Sequence, residues 1–231
     1  MKHAMRSFLL LTFVSITMAG TSQTLSEVFN SESKLFYLGI DFTKARVIDD
    51  AGVNEIDVRD KQFGGINDLI INEPKRYDLA KAFHRSEIDH DLGPVAARNA
   101  KVNAADIKST SASDFERLKE ADIASIVKSF NYGKASGTGI LFVMEGMSKT
   151  RKSASIWVAL IDIKSKKLLM TERIESKVAG GFSWRNYWAS SIRTLIESIE
   201  KSKFKEWKKK YSSGNNVTRN NARPASGSIA A

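Results

Sequence analysis

The chain has no cysteine, and its 231 residues include only three prolines and three histidines. Without cysteine there are no disulfides, no thiol nucleophile, no cysteine-built metal site and no lipid attached to an N-terminal cysteine. A chain of this length replaces disulfides with core burial. Only His84 and His90 lie beyond the first 22 residues, so acid–base chemistry would fall on carboxylates. A second long apolar run is also lacking, so nothing after the first is expected to be integral to a membrane.

The one apolar run is Ser7 to Ala19 (SFLLLTFVSITMA), preceded by Lys2, His3 and Arg6 and followed by Gly20, Thr21 and Ser22. Basic start, apolar middle and small residues are the order of a secretory signal peptide, expected over 1–22. The run is shorter than the ~20 residues that a membrane-spanning helix needs. Its β-branched Thr12, Val14, Ile16 and Thr17 and its lack of a polar face also disfavour a buried helix. The expected product is exported, periplasmic or extracellular, and not lipidated.

The formal charge of +10 is unevenly placed. Between Lys201 and Arg223 stand eight basic side chains against Glu206 alone, whereas residues 23–200 carry 26 basic against 25 acidic ones. The body is nearly neutral with a basic end, which argues against a nucleic-acid-binding face.

Leu35 to Phe42 reads as a strand ending at Asp41. Residues 63–83 read as helix broken by Pro74, Ser86 to Leu92 as a short strand, and Val95 to Ala105 as partly helical. Ser113-Asp114-Phe115-Glu116 has the form of a capping box opening a helix to Phe130. Three strands follow, Ile140–Glu145, Ser155–Ile163 and Lys167–Glu175, the last two joined at Lys164-Ser165-Lys166. The unbroken apolar run Ile156 to Ile161 predicts a central strand covered on both faces. Trp184, Trp188, Ile192, Leu195, Ile196 and Ile199 stripe a helix starting near Ser183. The expected fold is α/β (mixed α+β): a single domain over 30–211, with a mixed, mostly antiparallel sheet of about five strands and helices packed against it. A Ser/Gly/Asn/Pro/Ala-rich tail over 212–231 is expected to be disordered.

The strand Leu38-Gly39-Ile40-Asp41-Phe42 and the hairpin running from Trp157 to Leu168, with Asp162 before its turn, resemble the small α/β domain of the curli-secretion lipoprotein and of the N-terminal domain of the Tol-system propeller protein. The likeness spans residues 34–202. It implies an envelope-assembly or binding module with no catalytic residues to carry over. The lipidated cysteine of the curli lipoprotein has no counterpart here, so the likeness does not extend to membrane anchoring.

The densest motif is Gly180-Gly181-Phe182-Ser183-Trp184-Arg185-Asn186-Tyr187-Trp188. Trp184, Arg185, Asn186 and Tyr187 are candidate partner-binding residues, because aromatics and arginine dominate binding hot spots. The competing reading is a glycine turn, a Ser183 cap and tryptophans anchoring the helix. Gly181-Phe182-Ser183-Trp184-Arg185 is no nucleophile elbow, since Arg185 replaces the second glycine. Gly133 to Gly139 (GKASGTG) is no phosphate loop, because its lysine precedes the glycines and a strand follows. Glu87, Asp89, His90 and Asp91 alternate between strand faces and cannot close on one ion, so they read as a charged edge.

Near the end, Lys203, Lys205, Trp207, Lys208, Lys209 and Lys210 interleave lysine with aromatics. They are candidate contacts to an anionic membrane or polyanion. The competing reading is a solvated helix end with its aromatics tucked inward. Asn216-Val217-Thr218 matches a glycosylation sequon. The functional expectation is a non-catalytic binding or assembly module of the cell envelope, without cofactor or metal, whose partner is an envelope protein or glycan. The alternative is a carboxylate-based hydrolase of envelope glycans or peptides. Asp41 is a candidate in either case, because ligands gather at strand ends in α/β sheets.

Overall fold

Strand β6 (Ser153–Asp162) is buried along its whole length, and its side chains alternate between two cores. Ile156, Val158 and Leu160 enter one apolar cluster, and Trp157, Ala159 and Ile161 enter the other. The computed structural model describes residues 24–30 and 33–212. The expected signal peptide, the tail from 213 onward and the sequon at Asn216 therefore lie outside the described residues.

Strand β6 pairs antiparallel with β5 (Thr138–Ser148) and with β7 (Lys167–Lys177), as the tight connections require. The rest of the sheet corrects the expectation drawn from the sequence. Among the described residues there are seven strands, not about five, and the sheet is not mostly antiparallel, since four of its six strand pairings are parallel. Strands β1 (Leu35–Asp41) and β2 (Arg46–Ile48) follow one another along the free edge of β5, both parallel to it. The two-residue strands β3 (Asp89–His90) and β4 (Lys108–Ser109) flank β1 and β2 respectively, again parallel. Parallel neighbours need long crossovers, and the helical stretch between β2 and β5 supplies them. Strand β3 falls within the short strand read over Ser86 to Leu92, whereas β2 and β4, of three and two residues, leave no period to read in a sequence.

The helices divide between the two faces. Helices α1 (Leu25–Asn30), α3 (Phe63–Asn72), α4 (Leu79–Ala82), α7 (Trp184–Ser198) and α8 (Phe204–Ser212) feed the larger cluster. Helices α5 (Gly93–Asn99) and α6 (Glu120–Ser129) cover the smaller one through Val95, Ile123, Ile126 and Val127. A short α2 (Glu55–Asp57) runs into α3 through a π turn at Val58–Gln62, and a second π turn at Ile199–Lys203 carries α7 into α8. Helix α3 stops two residues before Pro74, where proline was expected to break it.

The start of α6 differs from the sequence reading. Ala112–Glu116 forms a 3-10 turn, and the α-helix begins only at Glu120. The buried Glu145 carboxylate takes the Leu118 amide, and Asp114 takes the Ser109 hydroxyl at 2.7 Å, which holds this segment off the α path. The cap that does form is Asp122 accepting from the Lys119 amide at 2.8 Å.

Candidate functional site

After β7 the chain must turn to enter α7. The Val178 amide donates to the Lys152 carbonyl, and the Ala179 amide to the Ser190 hydroxyl, both at 2.9 Å. Gly180 then takes φ +105°, a region that suits glycine. At Gly181 a Cβ would lie 2.4 Å from the Tyr187 amide nitrogen, so the turn closes directly on the first turn of the helix. Ser183 caps that helix, its hydroxyl accepting from the Asn186 amide at 3.2 Å, as its position predicts. The Asn186 backbone is thereby used by the cap.

This packing pushes Phe182 outward, where it is 111 % exposed, the most exposed large apolar side chain among the described residues. Trp188 is fully buried, and half-buried Trp184 and Tyr187 meet its ring edge-on at 6.2 and 5.1 Å. Lys149, from the β5–β6 turn, holds its ammonium 4.1 Å above the Tyr187 ring. Burial, with the charge of Asp50 added, pushes the Tyr187 phenol above its ordinary pKa, so it stays neutral. Exposed Arg185 lies along α3, with its Cδ 2.7 Å from where a Cβ at Gly65 would stand. Around the first turn of α7, Tyr187 thus meets Lys149 on the side of the β5–β6 turn, Arg185 lies along α3, and Phe182 stands out into solvent, a broken surface of rings and cations. Such a surface can bury apolar groups and pair with carboxylates. The sequence indicated Trp184, Arg185 and Tyr187. Lys149 was missed, and its only signal was the basic turn Lys149-Thr150-Arg151-Lys152.

Asp41 does not belong to this surface. It is fully buried at the end of β1, on the side of the sheet that α5 and α6 cover. Its Oδ1 accepts from the Thr43 amide at 2.8 Å and the Thr43 hydroxyl at 2.5 Å, and its Oδ2 accepts from Arg98 Nε at 2.7 Å. The Arg98 guanidinium also stacks over Phe130 at 5.4 Å. The recess above it is lined by Thr43, Lys44, Arg98, Asp122, Ser125 and Ser129. Its other carboxylate, Asp122, is engaged in capping α6. Asp41 therefore pins a loop and a helix, with three donors on its two oxygens.

Sequence reasoning also missed Glu145, which is 0 % exposed in β5. It accepts from Ser155 Oγ at 3.0 Å, from Trp157 Nε1 and Arg173 Nε at 2.9 Å each, and from the Leu118 amide. Arg173 in turn stacks 4.7 Å over the Trp157 ring. A carboxylate with four donors ties three strands to the entry of α6 and is not available as a base. Its signal was a lone glutamate inside the apolar run ILFVMEGM.

The basic C-terminal segment divides in two. Phe204 and Trp207 are buried in the larger core, and Tyr211 stacks on Phe29 of α1 at 6.1 Å. Lys203 is held by Glu172 at 2.8 Å and Glu206 at 3.1 Å. Trp207 and Lys203 are thus taken up by the fold, while Lys205, Lys208, Lys209 and Lys210 stay exposed. Among the described residues no group of three or more His, Asp or Glu side chains could hold a metal ion. No helix among them is long and apolar enough to cross a membrane. Neither a family model nor a curated protein matches the chain.

Proposed function

We propose that this protein is an exported, non-catalytic binding or assembly module of the cell envelope. It docks another envelope macromolecule through the surface at the start of α7. The observation that carries this reading is Phe182, fully exposed two residues before α7, whose first turn carries Trp184, Arg185 and Tyr187. Aromatic and arginine side chains supply most of the affinity in protein interfaces. With Arg185 and Lys149 flanking the start of α7, the fitting partner is an envelope protein that presents apolar side chains next to carboxylates. The likeness to the curli-secretion and Tol-system domains is part of the same proposal.

A hydrolase built on Asp41 draws no support from the geometry, because three donors occupy that carboxylate and no unengaged second carboxylate faces it. The test compares wild type with Phe182→Ser/Arg185→Ser as bait in envelope extracts. Loss of Phe182 touches no core residue and should shift stability by less than about 0.5 kcal/mol. A discrete protein captured by wild type and lost with the variant supports the reading. Equal capture by both, or capture by neither, rejects it.

A further inference from the structure

Between β1, α3 and α4 lies a cavity of about 320 Å³, within the range of small-molecule sites. Its walls are mainly apolar, supplied by Ile70 and Ile71 of α3, Pro74, Leu79 and Ile88. Tyr37 of β1 and Tyr77 of the loop before α4 also line it. Both tyrosines are buried, at 0 % and 1 % exposure, and both phenol hydroxyls are buried without a hydrogen-bond partner among the described residues. A buried hydroxyl left unpaired is costly, and two beside one cavity are rarer still. Each hydroxyl is a ready donor, because burial raises both phenol pKa values and keeps the protons on.

We propose that this cavity binds a small, uncharged molecule with an apolar body and an oxygen acceptor, such as a ketone, ester or amide, whose oxygen Tyr37 and Tyr77 recognise. Charge complementarity selects against an anion. The lining's titratable groups besides the tyrosines are His90 and Asp78, and the Asp78 carboxylate repels an anion while capping α4 through the Lys81 amide at 2.8 Å. No lysine or arginine among the described residues lines the space, and the Arg76 and Arg193 charges reach Tyr77 from outside it. A cation is disfavoured by the cost of burying its charge among mainly apolar walls, with the Asp78 carboxylate already engaged at the α4 cap. The cavity is formed by other elements than the α7 surface and does not depend on that reading.

The experiment titrates the full chain with acetophenone, following isoleucine and leucine methyl resonances by NMR. Ethylbenzene, which lacks the acceptor, and benzoate, which carries charge, serve as comparison probes. Acetophenone is expected to give saturable shifts at Ile70, Ile71, Leu79 and Ile88, with about tenfold weaker binding of ethylbenzene, the value of one good hydrogen bond, and weaker binding of benzoate, whose charge the apolar walls disfavour. In Tyr37→Phe/Tyr77→Phe, acetophenone should fall to the level of ethylbenzene while ethylbenzene itself is unchanged. No saturable shift, shifts centred elsewhere, equal binding of acetophenone and ethylbenzene to wild type, or a preference that survives the double substitution each overturns the proposal. The melting temperatures of the two single variants add an independent reading. Removing an unpartnered hydroxyl should not lower them, and a fall in both would show the hydroxyls already satisfied and overturn it too.

Discussion

Asn67 meets Ile40 as a neighbouring strand would, its Nδ2 donating to the Ile40 carbonyl at 3.1 Å and its Oδ1 accepting from the Ile40 amide at 2.7 Å. Asn99 continues the pattern, donating to the same carbonyl at 2.9 Å and accepting from the Phe42 amide at 2.8 Å. Strand β3 pairs with β1 only at Phe36 and Tyr37. Beyond that point two helices close the exposed edge of β1 with buried side-chain amides, and no further strand is needed there.

Replacing either asparagine by leucine should therefore orphan a buried backbone amide and destabilise the protein by about 2 kcal/mol. The Ile40 carbonyl keeps one partner in each single variant and loses both in the double. The double substitution should thus cost more than the sum of the singles, a coupling that a double-mutant cycle in urea reads directly. Strict additivity would show that the two amides act independently.

Glu145 gives a second stability prediction. Glu145→Ala leaves Arg173 and the Trp157 indole facing a cavity with no acceptor, and should cost about 3–5 kcal/mol. Glu145→Leu/Arg173→Met removes the uncompensated charge and should recover part of that loss, while the Leu118 amide, the Trp157 indole and the Ser155 hydroxyl remain without their acceptor. Guanidinium unfolding of the three proteins decides it, and a double variant as unstable as Glu145→Ala refutes the argument.

These two networks show where the sequence was legible and where it was not. The run Ile156 to Ile161 announced a strand covered on both faces, and Ser183 with the stripe behind it announced α7, because burial and capping leave local patterns. The parallel pairings left none. Strands β2, β3 and β4 span two or three residues, and β1 lies roughly a hundred positions from its partner β5. Asn67 and Asn99 carry no periodic signal, since their role is set by the strand edge they close. The candidate surface was half visible: Gly180 to Tyr187 is one contiguous motif, but Lys149 arrives from a turn distant in sequence.

Acid should loosen the attachment of α8. Burial raises the Glu172 pKa, but the bonds from Lys203 and Trp207, with the Lys203 and Lys210 charges, outweigh it and leave the pKa below its ordinary 4.5. A carboxylate depressed in the folded state stabilises it above the unfolded pKa, and that stabilisation is lost as pH falls through the folded value. Lys203, held above its ordinary 10.5 chiefly by Glu172, contributes in the opposite sense and is lost only in strong alkali. Stability should therefore fall below about pH 4.5 in wild type, and fall less steeply in Glu172→Gln, with Trp207 fluorescence as the reporter. Parallel pH profiles for the two proteins would remove Glu172 from the account.

The basic end is the remaining candidate contact, and its geometry decides how it must be tested. Cutting the chain after Ser202 would strip Phe204 and Trp207 from the core, so weaker membrane binding by such a fragment would report unfolding. The variant to use is Lys205→Gln/Lys208→Gln/Lys209→Gln/Lys210→Gln, which leaves Phe204, Trp207 and the Lys203–Glu172 pair in place, with circular dichroism to show that α8 stays folded. Near an anionic surface each lysine contributes ~1 kcal/mol before screening. The segment's aromatics add nothing to this while Phe204 and Trp207 are buried and Tyr211 is stacked on Phe29. Attraction that is purely electrostatic must fade as the Debye length shrinks from ~30 Å at 0.01 M salt to ~8 Å at 0.15 M. The intact protein should therefore sediment with phosphatidylglycerol vesicles at the lower salt and not at the higher, and the lysine variant should sediment at neither. Binding that persists at 0.15 M would mean that α8 releases its aromatics into the membrane. Equal binding by the lysine variant would leave these lysines as a solubilising helix end.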